Sequence, residues 1–210
     1  MQQPRDYDTF YAIIIVLSVI VIYNFVPSLN YDSAGGTLDF NTVSPDLKIT
    51  SDRTFAIRVS MRQPYPSHPA RFDDIPQALT TECVSTGRYS WLVETQGHWD
   101  IGVAYKNISR KGTYRVRIGT NKESWSIRHD KTGRLFAFHD NLRAKIPKSL
   151  NSNMIQRIAV IVDFEGGVVS FAKKGRGLEN LYAFKATFSQ PVCLGLGLYS
   201  VNPQSTVTIV

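Results

Sequence analysis

The chain has 210 residues, 43% hydrophobic and 20% charged, with 14 glycines and 10 prolines, an ordinary globular balance. That length accommodates one domain with an appendage and excludes a large multidomain enzyme; the composition excludes a disordered, collagen-like or disulfide-dense chain. The formal net charge is +7, and the two cysteines, Cys83 and Cys193, lie too far apart for a Cys-x-x-Cys motif, leaving a single disulfide open but undecided.

From Phe10 to Val26 the sequence is apolar except for Ser18 and Asn24 and carries no charge. With Pro27, Ser28 and Leu29 it reaches the roughly 20 residues that a helix needs to cross a bilayer. Tyr11 and Tyr23 stand near its ends, where amphipathic rings favour the interface. The run predicts a short tail over residues 1–9, a transmembrane helix or signal-anchor over 10–29, and a Gly-rich linker over 30–36. Arg5 precedes the span and residues 30–47 contain no Lys or Arg, a slight charge bias toward a cytosolic N-terminus that leaves the side of the larger part open. The expected localisation is a membrane, single-pass, with cleavage near residues 28–36 and secretion as the alternative. Asn107-Ile-Ser109 is a glycosylation sequon that becomes usable on the non-cytosolic side.

Past Gly36 the periodicity becomes two. Phe55, Ile57 and Val59 alternate with Arg58 and Ser60; Tyr89, Trp91 and Val93 with Ser90, Leu92 and Glu94; Tyr114, Val116 and Ile118 with Arg115 and Arg117; and Tyr182, Phe184, Ala186 and Phe188 with Ala183 and Lys185. Such alternation predicts strands with one buried and one wet face. Ile158–Val162 is apolar on both faces, as in a central strand, and Asp163–Gly167 reads as a turn into the returning strand Val168–Phe171. Short strands between recurrent turns predict an all-β antiparallel sandwich.

Longer strings then become recognisable. Leu38–Ile49 and Pro69-Ala-Arg-Phe72 resemble the start and end of a PRY segment. Gly87–Glu94, Trp99–Ala104 with Ser109–Gly112, Ser124–Ile127, Arg157–Gly167 with Val169–Phe171, and Leu181–Phe184 with Phe188 and Pro191 resemble successive landmarks of a SPRY domain. In this order they cover residues 37–210, so the chain is similar to the PRY–SPRY family of TRIM ligases, butyrophilins and vespryn-type venom proteins. The resemblance implies a bent, concanavalin-like jelly-roll sandwich that recognises another protein or peptide through a rim of loops, without enzymatic activity. Two cysteines cannot build the zinc-binding RING that TRIM proteins carry.

Asp163 and Glu165 share a strand face as a paired-acid glycosidase would need, but acids are also common in turns. The four histidines show no ligand spacing, so no metal and no cofactor are expected. Residues 101–150 hold twelve Lys or Arg against three Asp or Glu, a regional positive field that attracts anionic partners. Base-stacking aromatics are sparse there, so nucleic acid is not expected. The expected contact residues are Tyr65 and His68 in the proline-rich loop Met61–Pro69, followed by Trp99, Arg110, Trp125 and Arg128, because aromatics and arginines dominate hot spots. Residues 10–29 are expected to contact the lipid bilayer.

Overall fold

Polar turns cut the chain into fourteen short strands in a computed structural model that describes residues 31–113, 115–150 and 154–210. In chain order they are β1 (Asp32–Ser33), β2 (Leu47–Ile49), β3 (Phe55–Arg58), β4 (Gln77–Val84), β5 (Arg88–Gln96), β6 (Trp99–Tyr105) and β7 (Ser124–His129). The second half supplies β8 (Arg134–His139), β9 (Leu142–Ser149), β10 (Gln156–Asp163), β11 (Val168–Lys174), β12 (Leu178–Lys185), β13 (Val192–Leu198) and β14 (Thr206–Ile209). One sheet runs β12-β11-β10-β5-β14-β3-β2, with β1 added to β5; the other runs β4-β13-β6-β7-β8-β9. The pairings are antiparallel except β1 against β5.

Side-chain alternation explains how the sheets stack. β5 and β10 pair with Trp91 opposite Val160 and Val93 opposite Ile158, so this face is apolar until the buried polar pair Thr95–Gln156 at its end. That face meets Trp99, Ile101 and Val103 of β6, Ile127 of β7, Leu135 of β8 and Leu194 and Leu196 of β13 in one buried core. The opposite face of β10 is apolar too: Ala159 and Ile161 pack with Ala172 and Tyr31. The two-faced pattern of Ile158–Val162 therefore marks a strand covered on both sides.

The Asp163–Gly167 turn is closed by its own acids. Asp163 accepts the Gly166 N–H at 2.7 Å and the Arg88 Nε–H at 2.8 Å, and Glu165 accepts the Gly87 N–H through both oxygens at 2.8 Å. A Cβ on Gly166 would stand 2.6 Å from the Asp163 carboxylate, so a larger residue there would have to displace that carboxylate. Each acid thus has a turn-closing role.

Three strand expectations need correction. In β3 the buried residue is Ala56, not Phe55 or Ile57, because the register sets Ala56 between Ile49 and buried Val207. Residues 115–118 are loop rather than strand: positive φ at Gly112 (94°), Arg115 (57°) and Gly119 (87°) breaks any extended run. Val116 and Ile118 are buried nonetheless, on the outer face of the six-stranded sheet with Phe72, Leu79, Ile108 and Cys193. Gly195 makes that possible, since a Cβ there would lie 2.8 Å from Ile118. Finally, β12 begins at Leu178 and ends at Lys185, and a register shift opposite Phe171/Ala172 brings both Leu181 and Phe184 into the core.

Among the described residues no helix is long and apolar enough to cross a membrane. The tail 1–9 and the expected spanning segment 10–29 lie outside the described residues. Within the expected linker 30–36, Asp32 and Ser33 pair with Tyr89 and Ser90 of β5.

Cys83 of β4 and Cys193 of β13 stand opposite each other in register and form a disulfide across 110 residues of sequence. A covalent loop of that size removes much of the freedom of the unfolded chain. Replacing both cysteines by alanine is expected to destabilise the domain by about 2–4 kcal/mol, lowering Tm on the order of 10 °C. Differential scanning calorimetry of both forms checks this, and an unchanged Tm contradicts it.

Candidate recognition surface

The proline-rich loop is held by a buried arginine that sequence reasoning passed over. Arg71 is 2% exposed and donates to three backbone carbonyls: Pro66 (2.9 Å), Phe40 (2.8 Å) and Val43 (2.6 Å). Its guanidinium also sits 5.3 Å from the ring centres of both Phe40 and Tyr65. Burial lowers its pKa, against opposing pulls from Tyr65, Asp73 and Asp39. Tyr65, packed edge-on against Phe40 at 5.0 Å, is thereby clamped and half-buried rather than freely displayed. His68 shapes the same loop: its Nδ1 accepts the Ala70 N–H at 3.1 Å and its carbonyl accepts the Arg71 N–H at 3.0 Å. Met61, 79% exposed, is the loop's outermost apolar side chain.

Arg110 joins this rim through the next residue, Phe72, whose ring lies 4.6 Å beneath its guanidinium. Arg110 also donates to the Lys106 carbonyl, and burial lowers its pKa to about 10 despite Asp39. Beside it, Lys111 reaches Asp73 at 2.6 Å and the Arg71 carbonyl at 3.3 Å. Tyr65, His68 and Arg110 therefore belong to one continuous rim.

Arg128 belongs to a second feature, on the outer face of the six-stranded sheet. Asp100 of β6 is 0% exposed and is gripped by two guanidiniums: Arg117 Nε at 2.6 Å and Nη2 at 3.3 Å, Arg128 Nε at 2.6 Å and Nη2 at 3.0 Å. The Tyr199 hydroxyl donates a further bond at 3.0 Å. Burial alone would raise the Asp100 pKa, but Arg117 and Arg128 outweigh it and hold the carboxyl below its ordinary value. Burial, with Asp100 adding to it, pushes the Tyr199 phenol up. Arg117 also lies over the Tyr199 ring (3.7 Å) and Arg128 over Phe138 (4.0 Å), while Arg143 covers Phe136 at 4.5 Å. Lys145 pairs in register with Phe136 on the same face. The loop from Lys106 to Thr120, pinned by Ile108, Val116 and Ile118, links this face to the rim.

Trp99 and Trp125 are not surface residues. They are 0% and 3% exposed, stacked on His129 (5.4 Å) and His139 (4.7 Å) respectively. The alternation that puts Asp100 on the outer face of β6 necessarily turns Trp99 into the core, and Arg128 and Trp125 likewise take opposite faces of β7. Asn107 is exposed in the turn after β6. Among the described residues no group of three or more His, Cys, Asp or Glu is arranged to hold a metal.

Comparison with known proteins gives this surface a family setting. Residues 88–209 match the SPRY domain and residues 37–84 the SPRY-associated domain, PRY. The chain belongs to the SPRY domain family. It is 31% identical over 169 residues to mouse (Mus musculus) tripartite motif-containing protein 14, covering 78% of this chain and 37% of that protein. It is 33% identical over 163 residues to mouse (Mus musculus) butyrophilin subfamily 2 member A2, covering 76% of this chain and 30% of that one. The solved stonustoxin structure superposes with a TM-score of 0.77 at 27% identity, covering 85% of this chain and 29% of that chain. The chain thus spans about a third of the length of the relatives it matches.

Against these boundaries, the rim lies where PRY meets SPRY. Tyr65, His68, Arg71 and Phe72 come from the PRY part, and Arg110 and Lys111 from the SPRY part. The disulfide likewise joins Cys83 at the end of PRY to Cys193 within SPRY.

The Asp100 centre generates a prediction with a definite sign. A carboxyl whose folded pKa lies below its unfolded value contributes stability above about pH 4, and that contribution is lost as pH falls through the folded pKa. Asp100→Asn leaves two partly buried guanidiniums, 24% and 15% exposed, without their counter-charge and is expected to cost about 3 kcal/mol at neutral pH. The deficit should shrink as the wild type is titrated below about pH 4. Urea unfolding at pH 7 and pH 3 checks both; a deficit that is the same at both pH values contradicts the assignment.

Proposed function

We propose that this chain is a non-enzymatic protein-recognition module, tethered to a membrane through residues 10–29, whose PRY–SPRY rim and basic outer sheet face grip an acidic segment of a partner protein. The observation that carries the reading is the charge balance of that face. Asp100 is one carboxylate shared by Arg117 and Arg128, and among the described residues Arg143 and Lys145 meet no carboxylate. The face therefore keeps a surplus of positive charge built on a rigid sheet, with aromatic rings beneath the guanidiniums. Rim residues Tyr65, His68 and Arg110 supply the shape beside it.

Such a surface favours acidic over neutral sequences, and its affinity weakens with salt. Panning a random peptide library on the full chain is expected to enrich acidic peptides. Arg143→Glu with Lys145→Glu should weaken their binding by about tenfold or more, with the fold left intact. Enrichment of neutral peptides that ignore both salt and the charge reversal would overturn this reading.

The apolar run 10–29 supports the tether. Deleting it is expected to move the chain from the alkali-resistant membrane fraction to the soluble one. The likeness to stonustoxin favours a second reading, a secreted effector, which predicts a mature N-terminus beyond Ser28 instead.

A further inference from the structure

Two independent features at one end of the six-stranded sheet concern the compartment in which the domain matures. The first is the disulfide. Cys193 pairs in register with Cys83 on one side and with Ala104 of β6 on the other. Forming this bond removes two electrons and two protons from the thiols, which an oxidising disulfide partner must accept; such bonds persist outside the reducing cytosol. The second follows three residues along the same strand and its turn, at Asn107-Ile-Ser109, the sequence's only Asn-x-Ser/Thr tripeptide.

The local geometry displays that tripeptide outward. Ile108 is buried with Phe72, Val116 and Ile118, and its N–H donates to the Tyr105 carbonyl at 3.1 Å, fixing the turn. The residues on either side, Asn107 and Ser109, are both exposed. The Asn107 carboxamide has no hydrogen-bond partner among the described residues. A bulky group attached there would project into solvent without disturbing the fold.

We propose that Asn107 carries an N-linked glycan and that the domain resides on the non-cytosolic side, where Cys83 and Cys193 are oxidised. In the transfer, the Asn107 carboxamide nitrogen bonds to the anomeric carbon of a lipid-pyrophosphate-linked oligosaccharide. The sugar–phosphate C–O bond breaks, the lipid pyrophosphate leaves with the electron pair, and a carboxamide proton passes to base. Ser109 is the hydroxyl residue that the acceptor sequence requires. The glycan would stand beside Arg110, at the edge of the recognition rim, and limit the directions from which a partner approaches.

The test is made on the full chain expressed in mammalian cells. Treatment with peptide-N-glycosidase is expected to lower its apparent mass in one step. Asn107→Gln and Ser109→Ala should run at the lower position untreated, whereas Ser109→Thr keeps the shift. Alkylation of the denatured chain should label Cys83 and Cys193 only after reduction. A wild type that does not shift overturns the glycan, and thiols that label without reduction overturn the compartment. Neither readout involves partner binding, so either failure leaves the recognition reading to its own test.

Discussion

A buried carboxylate shared by two arginines organises the outer half of this domain. Taking Asp100 out of water costs several kcal/mol even after relaxation, and only close, multiple contacts recover that cost. Here five donated bonds from Arg117, Arg128 and Tyr199 converge on its two oxygens. They come from a loop, from β7 and from the residue after β13, so one side chain of β6 ties together three segments distant in sequence. The net stabilisation over an apolar replacement is small by the usual balance of such networks. Geometry is what the network secures: it fixes the loop 106–120, and through Ile108 and Phe72 it fixes the rim.

Arg71 performs a similar task on the PRY side without any carboxylate. Its Nε and Nη1 donate to three main-chain carbonyls and the guanidinium lies against two rings, while Nη2 is buried without a hydrogen-bond partner; this use of a planar fork suits arginine better than a lysine ammonium. The proline-rich loop has little regular hydrogen bonding of its own. Arg71 therefore supplies from the inside what a strand ladder would otherwise supply, and Lys111 locks the outside through Asp73.

Much of this was legible in the sequence where one strand face is strongly apolar. β5, β10 and the β10–β11 turn followed from alternation, from the two-faced run Ile158–Val162 and from the paired glycines. The misplaced phase of β3 had a physical source: Ala56 is buried because its neighbours in the sheet are Ile49 and Val207, and register is a tertiary property. Residues 115–118 alternate like a strand because they too bury one face, but they do so on top of a sheet instead of within one. Trp99 and Trp125 looked like contacts because hot spots are rich in tryptophan, yet the alternation around Asp100 and Arg128 already assigned them to the core. Asp100 left no local signal, since its partners lie at 117, 128 and 199. The same holds for the Cys83–Cys193 pair, whose separation carries no information without the register of β4 and β13.

The chemical make-up of the surface constrains how it can be regulated. Its positive groups are arginines and a lysine rather than histidines, the residue type whose charge changes near neutrality. The balancing carboxyl, Asp100, is held below its ordinary pKa by its two arginines, against the opposing pull of burial. Mild acidification therefore neither discharges the face nor releases Arg117 and Arg128 from their carboxylate. Recognition by such a surface is governed by the partner's charge, by ionic strength and by what stands at the rim, so control has to come from a competing ligand or a modification beside Arg110 and not from a proton.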